Sequence, residues 1–181
     1  NVQHRSIIIV KGDSGTEISK NYVLLKDQGS HPAGITLENS TGVKITSKQI
    51  EDGGSTSFLA PAIELYASSN NSVKGNTIRG TRQAFILTSK CTNLAYPGTD
   101  GNVFLNNKAY EVASANITFT ALADLCPPTI NGNTFKGNKF YSHAGTSSGM
   151  VGSIGPGATV EDWSLINNTL YGYMPGSMFA L

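Results

Sequence analysis

Two glutamates, Glu38 and Glu64, have the setting best suited to acid and base chemistry in this chain. Each sits in or just after a short phrase of branched side chains, Ile35-Thr36-Leu37 and Ile63-Glu64-Leu65, which reads as a strand. If Ile7, Ile35, Ile63, Phe85 and Ile117 form one inward row, then Ile8, Thr36, Glu64, Ile86 and Thr118 face outward. The next outward row is Val10, Glu38, Tyr66, Thr88 and Thr120. Adjacent strands lie about 4.8 Å apart and a two-residue advance covers about 6.7 Å, so the two Cβ atoms fall roughly 8 Å apart. Carboxyl groups so placed can divide acid and base work across a glycosidic bond in the inverting manner. Tyr66 beside them offers a platform for a sugar ring. The plainer alternative is a solvated sheet face with two ordinary glutamates, and the residues alone favour it.

Other candidates carry less. Asp100 and Asp124 fall on two long loops and could overhang a groove, against the simpler role of capping those loops. Glu161-Asp162-Trp163 sets carboxylates beside the sole Trp, a pairing useful for sugar binding, although a turn with a packed indole suits the same residues. His4, His31 and His143 are scattered and form no metal-ligand spacing. Cys91 and Cys126 could meet if their coils stack in register, but two unpaired thiols suit their surroundings better. No Gly-rich phosphate loop, nucleophile elbow or zinc motif is present, so neither a metal nor a cofactor is expected.

The elements that must position these side chains repeat along the chain. The phrase Val73-Lys74-Gly75-Asn76-Thr77-Ile78 recurs around Asn107, Asn138 and Asn168, and upstream around Asn21 and, with Lys in place of Asn, Lys48. Successive anchors are 27, 28, 31, 31 and 30 residues apart. Ahead of each comes a strand-like phrase, from Ile7-Ile8-Ile9 to Ile117-Thr118-Phe119 and, least clearly, Met150 to Ile154. No 3.6-residue apolar period persists for a helix length between them. A coil of short strands cannot bury its apolar face alone, whereas stacked coils bury a continuous core. The expected fold is therefore all-β, a parallel β-helix or solenoid of about six coils.

At each corner the anchor Asn is expected to take the left-handed conformation and to bond locally through its amide. Stacking would bring these amides into an internal ladder, against the alternative that Asn merely marks surface turns. Lys48, in the same row, should lead its ammonium out to water and break the ladder there.

Residues 1–172 read as one β-helix domain and 173–181 as an apolar cap or oligomer-contact tail. With 14% charged residues and a net charge of +1, the chain makes no case for nucleic acid, and no run of Lys or Arg offers a phosphate-tracking stripe. No apolar run is long enough for membrane insertion. Starting at Asn1, it reads as an excised or processed piece.

The Ser72-Val73-x-x-Asn76-x-Ile78-x-Gly80 phrase and its repeats resemble the right-handed parallel β-helix of the pectin-lyase-like superfamily, over about residues 6 to 173. The signatures of polygalacturonases, pectate lyases and uronate epimerases are not found. What remains is most similar to a bacteriophage tailspike or appendage segment. That resemblance implies a virion or extracellular location, a homotrimer, and binding, with or without cleavage, of bacterial surface polysaccharide. A non-catalytic module of a virion fibre and a fragment of a secreted lyase or epimerase are the alternatives.

Overall fold

The computed structural model describes residues 8–25, 33–52, 60–90, 98–122, 127–142, 148–171 and 179–180. Every regular element in them is a strand. The first coil holds β1 (Ile8–Lys11), β2 (Glu17–Ser19) and β3 (Tyr22–Leu25); the second β4 (Ile35–Glu38), β5 (Lys44–Thr46) and β6 (Gln49–Asp52); the third β7 (Ile63–Tyr66), β8 (Ser72–Lys74) and β9 (Thr77–Arg79). The fourth holds β10 (Phe85–Lys90), β11 (Val103–Leu105) and β12 (Lys108–Val112), and the fifth β13 (Ala115–Leu122), β14 (Thr134–Lys136) and β15 (Lys139–Ser142). The sixth holds β16 (Ser148–Ile154), β17 (Ser164–Ile166) and β18 (Thr169–Tyr171), and β19 (Phe179–Ala180) follows.

Each coil contributes one strand to each of three sheets. The first sheet has seven strands in the order β1-β4-β7-β10-β13-β16-β19; the second and third have six each, β2 to β17 and β3 to β18. All pairings between these strands are parallel. The expected parallel solenoid is thus the observed one, with three strands per coil. The third strand of each coil lies immediately after the anchor position, where the repeat phrase ends on its last apolar residue.

Stacking turns each sequence position into a row. Ile35, Ile63, Phe85 and Ile117 form one inward row of the first sheet, and Leu37, Leu65, Leu87 and Phe119 the other. These face Ile45, Val73, Phe104 and Phe135 from the second sheet and Ile50, Ile78, Ala109 and Phe140 from the third, all buried. In coils four and five the filling becomes aromatic, with the Phe104 and Phe135 rings stacked at 4.3 Å and Phe85 tilted against Phe104 at 4.9 Å. Gly152 continues the Phe119 row, and a Cβ there would overlap the Phe119 ring, so the absent side chain is what lets that ring lie inward.

The corners are built differently from expectation. The left-handed residue is the one before each anchor: Lys20, Ser47, Gly75, Asn106, Gly137 and Asn167 have φ between 50° and 65°. That turn frees the next residue to point inward, and the anchor amides do form a ladder. The Asn76 Nδ2 donates to Asn107 Oδ1, Asn107 to Asn138 and Asn138 to Asn168, each at 2.9 Å. Each Nδ2 also donates to a carbonyl one coil below, Ile45, Val73, Phe104 and Phe135 in turn. Buried backbone and amide groups are thereby paired within the wall.

Lower down the ladder stops. Asn21 is exposed and outside it. Lys48 keeps the row, since its backbone N–H donates to Asn76 Oδ1 at 3.0 Å. Its side chain does not reach water, however: the residue is only 2% exposed and Nζ has no hydrogen-bond partner. The corner turns the stem inward before it can bend round the wall.

A second ladder, not anticipated, runs at the corner between the first and second sheets. There Asn71 Nδ2 donates to Asn102 Oδ1 at 3.0 Å and Asn102 Nδ2 to Asn133 Oδ1 at 3.1 Å. It fixes the entry to the second sheet as the first ladder fixes the exit.

Candidate functional site

The outer face of the first sheet carries the predicted glutamates. Its two outward rows are Ile9, Thr36, Glu64, Ile86, Thr118, Val151 and Lys11, Glu38, Tyr66, Thr88, Thr120, Ser153. From the second coil upward these are the rows the sequence suggested. In the first coil the register is one residue later, with Ile8 opposite Ile35 and Lys11 opposite Glu38, and so Ile9 and Lys11, rather than Ile8 and Val10, point outward. Three consecutive isoleucines give no alternation to fix the phase, so the hydrophobic pattern could not reveal the slip.

That slip brings a cation to the pair. Lys11 Nζ lies 2.7 Å from Glu38 Oε1, and the Glu38 side chain is 30% exposed. Glu64, paired in register with Thr36, sits diagonally across from Glu38 on the next strand, and Tyr66 stands directly beside Glu38. Burial pushes the Glu64 carboxyl up from the usual 4.5; a hydrogen bond with Thr36 pulls it down, and the nearby Glu38 charge raises it again. A half-buried carboxyl that favours its proton thus neighbours an ion-paired carboxylate. This is the asymmetry that separates a proton donor from a base.

Asp100 and Trp163 are not brought to this face. Asp100 is engaged in the wall, accepting from Thr129 Oγ1 at 2.7 Å and from the Asn131 backbone N–H at 2.6 Å, the capping role the sequence left open for it. The Trp163 indole packs against Phe119 at 5.1 Å and Phe135 at 5.6 Å, and its Nε1 donates to the Ile130 carbonyl. It is a packed indole at a corner, and with Glu161 and Asp162 it lines a cavity of about 230 Å³ whose other walls are Phe119, Met150, Val160 and Leu165. Asp124, Cys91 and Cys126 lie outside the described residues. Among the described residues there is no group of three side chains arranged to hold a metal, and no helix long and apolar enough to cross a membrane.

On the third sheet the outward row Arg79, Tyr110, Tyr141, Tyr171 was also missed. The three tyrosine rings stack at 4.8 Å and 4.7 Å, with the Arg79 guanidinium 5.9 Å from the Tyr110 ring centre. Its signal was present in Lys108-Ala109-Tyr110 and Lys139-Phe140-Tyr141, which repeat at the anchor interval.

Three parallel sheets wound coil upon coil, with internal amide ladders, define a β-solenoid. The family model described as right handed beta helix region matches residues 1–172, and the chain belongs to that family. Comparison with curated proteins and with solved structures finds no match.

Proposed function

We propose that the outer face of the first sheet binds, and cleaves by hydrolysis, a polysaccharide, with Glu64 as proton donor and Glu38 as the base that activates water. A right-handed β-helix suits polysaccharide-binding proteins in general. The observation that carries the reading is the contrast between the two carboxyls: Glu64 is raised by burial, while Glu38 is paired with Lys11. They are one strand and two residues apart, or roughly 8 Å between Cβ atoms. Glu64 would protonate the leaving oxygen, Glu38 would take a proton from the attacking water, and the anomeric centre would invert. The test is glycan release from bacterial surface polysaccharide by wild type, Glu38→Gln and Glu64→Gln. Loss of release in both variants with binding retained supports the assignment; release equal to wild type in either removes that residue from it.

The same proposal places the chain in a bacteriophage tailspike or appendage, on the virion or outside the cell, as a homotrimer. Its support is the sequence resemblance together with apolar side chains left open near the last coil: Ile154, Leu165, Ile166 and Tyr171 are 42% to 50% exposed. A monomer in a sizing experiment at high concentration would remove the trimer from the reading.

A purely structural fibre module is the second reading. What favours it is that Lys11 and Thr36 already give each glutamate a partner within the sheet.

A further inference from the structure

We propose that the corner between the second and third sheets, over coils three to five, binds an acidic polysaccharide at a site separate from Glu38 and Glu64. The inference goes beyond the glutamate reading and does not need it. The strands and corners at 72–79, 103–112 and 134–142 carry Lys74, Arg79, Lys108, Lys136 and Lys139 against one carboxylate, Glu111. A net charge of +4 is thus gathered in three stacked segments of a chain whose total is +1. No run of basic residues exists in the sequence; stacking alone assembles the patch.

Register shows how it is laid out. Lys108 and Lys139 are direct neighbours in one outward row of the third sheet. Lys74 and Lys136 lie in the last outward row of the second sheet, on either side of Leu105, so the corner separates two lysine rows. All four lysines are exposed. Among the described residues the ion pairs are Lys11 with Glu38 and Arg79 with Glu111, so the four lysines carry no counter-charge. Beside Lys108 and Lys139, two residues along the same strands, stand Tyr110 and Tyr141 of the tyrosine stack. Lys108 and Lys139 are therefore about 4.8 Å apart along the solenoid axis and Lys74 and Lys136 about twice that, with phenol edges about 6.7 Å from the first pair. An extended sugar chain with carboxylate or sulfate groups can lie along this corner, its anions on the lysines and its hydroxyls on the tyrosine oxygens.

Single-stranded nucleic acid also offers a charged backbone, but it gains affinity by stacking bases on open aromatic faces. Here Tyr141 has a ring on each side and Tyr110 lies between Tyr141 and Arg79, so the faces of the two tyrosines beside the lysines are filled and only their edges and hydroxyls remain. The row suits hydroxyl-rich chains rather than bases.

The experiment is affinity electrophoresis of the whole chain in hyaluronate (carboxylate), dextran sulfate (sulfate), neutral dextran and a thymidine oligonucleotide, at low and physiological salt. Retardation by at least one acidic glycan and none by dextran is expected; which glycan binds identifies the anion. The Lys108→Gln/Lys139→Gln double variant should bind about tenfold more weakly, and added salt should weaken wild type in the same sense. Tyr141→Phe, which keeps the stack and removes one hydroxyl, should bind a few-fold more weakly. Lys44→Gln, one coil below and outside both sites, should bind as wild type. Unchanged binding by the double variant, no binding to either acidic glycan, or tighter binding to the oligonucleotide than to both glycans would overturn the proposal.

Discussion

Lys48 occupies the ladder position directly below Asn76, giving it a backbone N–H at 3.0 Å but leaving its own Nζ buried and unpartnered. Burial lowers its pKa from the usual 10.5. An asparagine at this position would place an Nδ2 where the coils above place theirs, able to donate to Asn76 Oδ1 and to the Ile18 carbonyl below. Lys48→Asn is therefore expected to stabilise the protein by about 1–2 kcal/mol, the range for relieving a buried unsatisfied polar group. Thermal unfolding should show a rise of a few degrees; a fall would mean that the lysine stem contributes more by packing than its amine costs.

The amine and the stem can be separated by pH. A lysine whose folded pKa lies below its unfolded value holds fewer protons folded than unfolded, so wild-type stability climbs as pH rises toward 10.5. Lys48→Met keeps the apolar length and removes the titration. It should unfold at higher denaturant concentration than wild type near neutrality, with the gap narrowing toward pH 10.5. A gap independent of pH would show that Lys48 is not held back from protonation.

Asn107, like Asn138, makes four side-chain hydrogen bonds within the first ladder. Its Oδ1 accepts from the backbone N–H and Nδ2 of Asn76, and its Nδ2 donates to Val73 O and Asn138 Oδ1, each at 2.9 Å. Asn107→Ala strands partners on both neighbouring coils and should cost about 3–5 kcal/mol. Asn107→Asp keeps the acceptor and loses the donor while burying a charge. If chemical denaturation finds the alanine variant within 1 kcal/mol of wild type, the ladder is ornament rather than support.

How far the sequence exposed this architecture depended on whether a row repeats its residue. Asn76, Asn107, Asn138 and Asn168 repeat one type at near-constant intervals, so the first ladder was visible. Asn71, Asn102 and Asn133 are also 31 residues apart, but their row continues into Val43 below and Trp163 above, which hides the pattern. The left-handed corner residues vary between Lys, Ser, Gly and Asn because that position asks only for a backbone conformation. At the candidate site, Glu38, Glu64 and Tyr66 were legible from strand alternation. Lys11 was not, because Ile7, Ile8 and Ile9 set no phase. The tyrosine stack and the lysine corner need the third strand of each coil to be recognised, and three residues show almost no alternation.

Glu64 provides a pH test of the site independent of any substrate. Its folded pKa is raised, so the folded state holds its proton to higher pH than the unfolded chain. The sign is opposite to that of a salt-bridged carboxylate: its contribution favours folding at low pH and is lost as pH rises through the folded value. Glu64→Gln should melt above wild type at pH 8, and the difference should close as pH falls to the usual carboxyl value of 4.5. A variant that melts below wild type at pH 8 would show that the ionised carboxylate is well accommodated, which removes the ground for assigning it as the proton donor.

Trp163 occupies the top of the second ladder in place of an asparagine. The carbonyls that receive the donors of this row are Ser40, Ser68, Thr99 and Ile130, served in turn by Asn71, Asn102, Asn133 and the Trp163 indole. An indole donates as an amide does but has no acceptor for the rung below, so the ladder ends there and the ring fills space against Phe119 and Phe135. Trp163→Phe keeps an aromatic ring and removes the donor, and should cost about 1–2 kcal/mol in denaturant unfolding. Glycan binding should be unchanged by it, because the indole's hydrogen bond and ring contacts all lie within the wall. A variant with wild-type stability and weakened glycan binding would reverse that assignment and return Trp163 to the list of sugar-contacting residues.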